Sequence, residues 1–119
     1  EANGRWSLPG GWCEVNLSVA ENTIKEVREE AGLEAQVRRI IAVQDRDKHN
    51  RPRYACGVCK VFLLCTASGG AFVPNLETTA SGYFAENALP ELAEEKNTAE
   101  QIRLCFAANR SPQWETVFD

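Results

Sequence analysis

Glu26, Glu29 and Glu30 lie within a five-residue stretch. If that stretch is helical, 3.6 residues per turn put the three carboxylates within about 100° of one another on one side of the helix. Carboxylates at i,i+3 and i,i+4 repel, so such a cluster demands either full solvation or a cation. Hard oxygen donors at this spacing suit Mg²⁺ or Mn²⁺ better than any soft metal. A solvated helix face is the ordinary explanation of a Glu-Val-Arg-Glu-Glu string. What raises the metal reading above it is Gly10-Gly11 upstream, a turn whose backbone, bare of side chains, can come close to a ligand.

The element that must carry these carboxylates is written locally. Ser18 can cap a helix, and Glu21, three residues on, can reach back to the cap's backbone, which satisfies two orphaned donors. Gly32 sits where a left-handed residue ends a helix. Between them Ala20, Ile24, Val27 and Ala31 fall within about 60° of one another. One face can therefore bury itself against a sheet while the carboxylates converge elsewhere.

Counted from Gly11, five residues lead to position 17, seven more lead to Lys25, and Glu26-Val27-Arg28-Glu29-Glu30-Ala31-Gly32-Leu33 follows. This resembles the Nudix box: Gly, five residues, Glu, seven residues, Arg-Glu-hydrophobic, any, Glu-Glu, any, Gly-hydrophobic. Gly11, Glu26, Val27, Glu29, Glu30, Gly32 and Leu33 fill seven of its nine specified positions. Leu17 stands where the box has Glu, which takes one acidic group from the metal neighbourhood. Lys25 stands where it has Arg, which keeps the charge and loses the bidentate fork. WSLPGG resembles the usual lead into the box, a strand ending in a glycine turn. The family normally has another strand before it, so the resemblance implies a chain trimmed at its N-terminus, with an exposed sheet edge.

At 119 residues the chain is expected to form one domain, spanning 1–119. A net charge of −4 argues against nonspecific nucleic-acid binding, which draws on an excess of Lys and Arg. No apolar run reaches the length of a membrane span, and no signal peptide opens the sequence. Five cysteines, an odd number, point to reduced thiols and a cytoplasmic setting. Cys56-Gly-Val-Cys59 is formally CxxC, but no second pair or suitably spaced His completes a zinc site. These cysteines read as buried strand residues.

Downstream, Ala35 to Gln44 alternates in polarity and reads as a strand. Asp45 to Arg53 reads as a polar loop gathering Arg46, Lys48, His49, Arg51 and Arg53, the densest cationic patch in the chain. A solvated connection explains it by composition; its place after a strand leaving the site makes Arg46, Lys48 and His49 candidates for holding phosphate. Tyr54 to Thr66 reads as a central strand, Ser68-Gly69-Gly70 as a turn, and Ala71 to Asn75 as a short extension. Thr98 and Gln101 form a second capping box, opening a helix in which Ile102, Cys105 and Phe106 share a face. The tail carries Trp114 and Phe118, aromatics able to dock on the core.

The resemblance runs through most of the chain. Glu77-Thr-Thr-Ala-Ser-Gly-Tyr-Phe84 is similar to the family's segment in which an acidic residue precedes an aromatic strand. Glu77 is thereby an extra catalytic carboxylate by resemblance, and an exposed loop Glu by composition alone. DRDKHNRP and GYFAENALPEL look most like the subgroup typified by CDP-choline pyrophosphatases and related to ADP-ribose pyrophosphatases. The order of strands and helices fits an α/β fold with a mixed sheet, and the resemblance implies an α/β/α sandwich. It also implies cleavage of the pyrophosphate bond in a nucleoside diphosphate linked to a group X. Glu26, Glu29 and Glu30 would hold Mg²⁺ or Mn²⁺ with the Gly11 carbonyl, and Glu26 or Glu77 would act as base. The same box serves nucleoside triphosphate pyrophosphohydrolases. From another class, Leu17 could mark a degenerate box in a binding domain. Members are often dimers, so a homodimer is an expectation.

Overall fold

The computed structural model describes residues 3–75 and 78–119. Helix α1 spans Val19–Ala31, strand β1 Leu33–Asp45, a single helical turn α2 Arg46–His49, strand β2 Cys59–Gly70, helix α3 Ala99–Arg110 and strand β3 Val117–Phe118. The strands order as β2-β1-β3, with β1 antiparallel to β2 and parallel to β3. The result is an α/β fold with a mixed sheet. No helix among the described residues is long and apolar enough to cross a membrane.

Helices α1 and α3 begin as their sequences dictate. Ser18 Oγ accepts the Glu21 N–H at 3.1 Å, and Glu21 Oε1 accepts the Ser18 N–H at 2.9 Å. Thr98 and Gln101 repeat the exchange at 3.2 and 2.9 Å. Gly32 ends α1 in the left-handed region at φ 71°, and a Cβ there would collide with the Ala71 carbonyl.

The long ladder explains the core. In β1 the inward residues are odd-numbered as far as Ile41, then even-numbered at Ala42 and Gln44. The register with β2 slips between Ile40 and Ala42, and a one-residue slip exchanges the two faces of a strand. Ile41 and Ala42 are therefore buried side by side, clustered with Phe62 and Ala108 and flanked by Leu64, Leu104, Cys105 and Trp114. The same slip turns Gln44 inward, where its Oε1 accepts from Gln101 Nε2 at 2.9 Å. Gln101 also bonds Asn50 through both ends of its amide, at 2.8 and 3.2 Å. No buried side-chain N or O among the described residues lacks a partner.

Several expectations need correction. Ser68-Gly69-Gly70 is the end of β2, because the ladder continues until Gly70 faces Leu33; Gly69 and Gly70 allow this with φ of 138° and 111°. β2 begins at Cys59 and not at Tyr54, and Cys56 and Cys59 are exposed. Part of the polar loop is helical, since Asp45 caps α2 through the Asp47 N–H. Gly82-Tyr83-Phe84 is not a strand: Tyr83 is exposed, and Phe84 instead meets Trp6 edge-on with centroids 4.8 Å apart. Trp6 itself bridges Leu92. In the tail, Trp114 docks and gives its indole N–H to the Ile41 carbonyl at 2.9 Å, while Phe118 stays exposed on β3.

Candidate functional site

The turn before α1 is fastened to the helix at successive points. The Gly10 N–H donates to Glu30 Oε2 at 3.0 Å. Gly11 lies so close to Glu26 that a Cβ would stand 2.7 Å from Oε1, which gives the box glycine its physical reason. Asn22, buried on the first half of α1, donates to the Trp12 carbonyl at 3.2 Å and accepts the Glu14 N–H at 3.1 Å. Lys25 Nζ then bridges Glu14 and Glu29, 3.0 Å from each. Its bonds to Glu29 first, and to Glu14, hold the ammonium above the usual lysine range. Arg28 takes no part, forking onto Glu34 at 3.0 Å.

Glu14 and Asn22 were not singled out in the sequence. The signal for Glu14 was its place inside the loop that Gly11 opens, three residues before the Leu17 that lacks a carboxylate. The structure brings a fourth carboxylate to the cluster from that neighbouring position. Leu17 is half-buried, its N–H closing a turn onto the Glu14 carbonyl at 3.3 Å.

Glu26, Glu29 and Glu30 share one side of α1, yet among the described residues no three carboxylate, imidazole or thiol groups converge as metal ligands. Each carboxylate has its own neighbour: the Gly11 backbone, Lys25 and the Gly10 N–H respectively. The donor chemistry nevertheless fits a hard divalent ion. The oxygens are carboxylates on one face, and the bare Gly10-Gly11 backbone comes within touching distance of them. Asn75 Nδ2 donates to the Glu29 carbonyl at 3.0 Å, and its backbone N–H bonds the Thr78 carbonyl at 3.1 Å. Glu77 lies outside the described residues.

The cationic patch stands apart, across the length of β1 from Gly32. Arg46 is buried and spent on structure: it donates to the Pro52 and Glu95 carbonyls at 2.6 and 2.9 Å and lies 3.4 Å over the Tyr54 ring. Its assignment to phosphate gives way to this role, since a buried guanidinium needs partners for its donors. His49 Nε2 lies 2.8 Å from Asp119 Oδ1. That contact, with the Asp45 N–H, holds the Asp119 carboxyl below its usual range. Lys48 and His49 border a cleft of about 280 Å³ with Gln44, Thr98 and Gln101.

Comparison with known proteins agrees with the box. The family model of the NUDIX domain matches residues 1–105. YjhB of Bacillus subtilis (strain 168), a candidate ADP-ribose pyrophosphatase, is 40% identical over 96% of the chain. The chain spans about half of that relative's length, 55%. The crystal structure of an ADP-ribose pyrophosphatase from Streptococcus suis 89-1591 superposes with a TM-score of 0.92 at 55% identity, over 100% of this chain and 85% of that one. That of a UDP-X diphosphatase gives 0.85 at 34% identity, over 95% of this chain and 55% of the other. With the glycine turn, the acidic helix and the sheet in this arrangement, the chain belongs to the Nudix family.

Proposed function

We propose that this chain is a metal-dependent pyrophosphohydrolase. It splits a nucleoside diphosphate linked to another group, of the ADP-ribose or CDP-choline kind, into a nucleoside monophosphate and phospho-X. The observation that carries the reading is the Gly10-Gly11 turn seated on Glu26 and Glu30 within a Nudix box. Support comes from relatives described as ADP-ribose pyrophosphatase and UDP-X diphosphatase.

Nudix hydrolases generally use divalent metals; here Glu26, Glu29 and Glu30, with the Gly11 carbonyl, would hold Mg²⁺ or Mn²⁺. Such an ion supplies charge neutralisation on the diphosphate and acidifies water. The chain's residues do the rest. The Gly10 N–H orients Glu30, and Lys25 keeps Glu29 and Glu14 together despite their repulsion. Glu26 takes the proton of the attacking water, and Glu77 is the alternative base.

A second reading, a binding domain whose box no longer hydrolyses, draws on the lack of three converging ligands among the described residues. Phosphate-product release on a panel of ADP-ribose, CDP-choline, nucleotide sugars and nucleoside triphosphates separates the two. One linked diphosphate is expected to turn over with Mg²⁺ or Mn²⁺, and a folded Glu29→Gln protein is expected to lose more than the ~100-fold that removing an outer partner of a metal ligand costs. Full activity in that variant sinks the metal assignment. Triphosphates alone turning over moves the substrate class.

A further inference from the structure

We propose that Trp12 is the platform on which the nucleobase of the substrate stacks; this rests on the hydrolase reading above and names its base subsite. Trp12 follows Gly11 directly, so its Cα is about 3.8 Å from that of the residue packed on Glu26. Its side chain is 71% exposed, unusual for an indole with no evident packing duty. Its backbone is fixed, because the buried Asn22 grips the Trp12 carbonyl and the Glu14 N–H, the two groups that bracket Cys13. An exposed aromatic on a clamped backbone costs little entropy to use, and it needs no rearrangement to meet a flat ligand.

The charges around it argue the same way. Glu14, Glu26, Glu29 and Glu30 lie around this turn, with the Lys25 ammonium between Glu14 and Glu29. With a divalent ion held there, the carboxylates would engage the diphosphate; the uncharged nucleobase is left for an uncharged surface. The other two tryptophans are engaged elsewhere: Trp6 meets Phe84 edge-on, and Trp114 packs against the core and gives its N–H to the Ile41 carbonyl. The diphosphate would sit at Glu26 and Glu30, and Trp12 lies on the same turn, next in sequence to the glycine packed on Glu26.

The test is calorimetric titration of the protein, with Mg²⁺ present, by AMP, CMP and UMP, which as products are not consumed, and by ribose 5-phosphate as a base-free control. Trp12→Ala and Trp12→Phe are compared with the parent protein after thermal melts show all three folded. The expected result is that Trp12→Ala weakens nucleoside monophosphate binding about 10-fold or more, the range of one lost base stack. Trp12→Phe keeps most of the affinity, and ribose 5-phosphate binds all three proteins alike. Equal nucleotide affinity in the parent and Trp12→Ala proteins, an equal loss for ribose 5-phosphate, or no nucleotide binding by the folded parent each overturns the proposal. Trp12-dependent binding without hydrolysis of any linked diphosphate counts against the hydrolase reading alone. Hydrolysis with an unchanged KM in Trp12→Ala counts against the stacking role alone.

Discussion

Gly11 shows how much a missing side chain can do. Its Cα faces the Glu26 carboxylate at a spacing that leaves no room for a methyl group. Because the obstructing atoms are the far end of a flexible side chain, Gly11→Ala is expected to fold and to push the carboxylate aside. A misplacement of that order lowers kcat/KM by up to about 100-fold, with the melting temperature nearly unchanged; steady-state kinetics beside a thermal melt reads both. At this scale the place of Glu26, Glu29 and Glu30 on one side of a helix could be read from spacing, and Gly11 was marked by its resemblance to the box. Glu14, Asn22 and the real task of Arg46 could not. They depend on which donor meets which carbonyl once the loop has closed, and spacing carries no record of that. Arg46 has the same side chain whether it binds phosphate or the Pro52 and Glu95 carbonyls.

Helix α1 is held at its start by a reciprocal cap and at its end by a left-handed glycine, so its boundaries follow from Ser18, Glu21 and Gly32. Ser18→Ala removes the acceptor for the Glu21 N–H and is expected to cost about 1 kcal/mol, visible as a lower urea midpoint. Since the carboxylates sit toward the helix's other end, activity under native conditions is expected to survive. A strong loss of activity without loss of stability would show that the cap also positions the turn. The strands were less legible. The reading of Tyr54 to Thr66 falls short of β2 at its C-terminal end and overruns it at its start, because hydrophobicity marks what can be buried, whereas β2 is set by its pairing to β1, which carries on through two glycines to Gly70. The change of face at Ile41 and Ala42 arises from a register slip, a property of two strands together that neither shows alone.

Across the molecule, the C-terminal residues close the sheet on β1: Thr116 Oγ1 donates to the Ile40 carbonyl, β3 pairs with Ala42 and Val43, and Asp119 meets both the Asp45 N–H and His49. The Asp119 carboxyl is held below its ordinary range by His49 first and the Asp45 N–H second. A depressed folded-state pKa gives stability that is complete above the unfolded value, about 3.9, and is lost as pH falls through the folded value. Asp119→Asn is therefore expected to melt below the parent protein near neutral pH, with the gap narrowing as pH drops below about 4. A gap that stays constant with pH would mean that the contact acts by packing and not by charge. The α/β class and the mixed sheet were legible from the order of elements. That a tail aromatic docks on the core was legible, as Trp114 does; the pairing of the tail with β1 was not, because it joins residues about seventy positions apart.

That difference in reach sets an order of assembly. The bonds that fasten the turn to α1 span separations of 8, 10 and 20 residues, against 70 to 76 for the tail. Bringing the ends of a chain together costs entropy that grows with the logarithm of the intervening length, and a sevenfold longer loop costs about 2 kcal/mol more. The acidic turn is thus a near-local structure, able to form while the sheet is still open and to persist when the pairing of residues 116–119 with β1 is lost. Unfolding that starts at those long-range contacts reaches the carboxylates last.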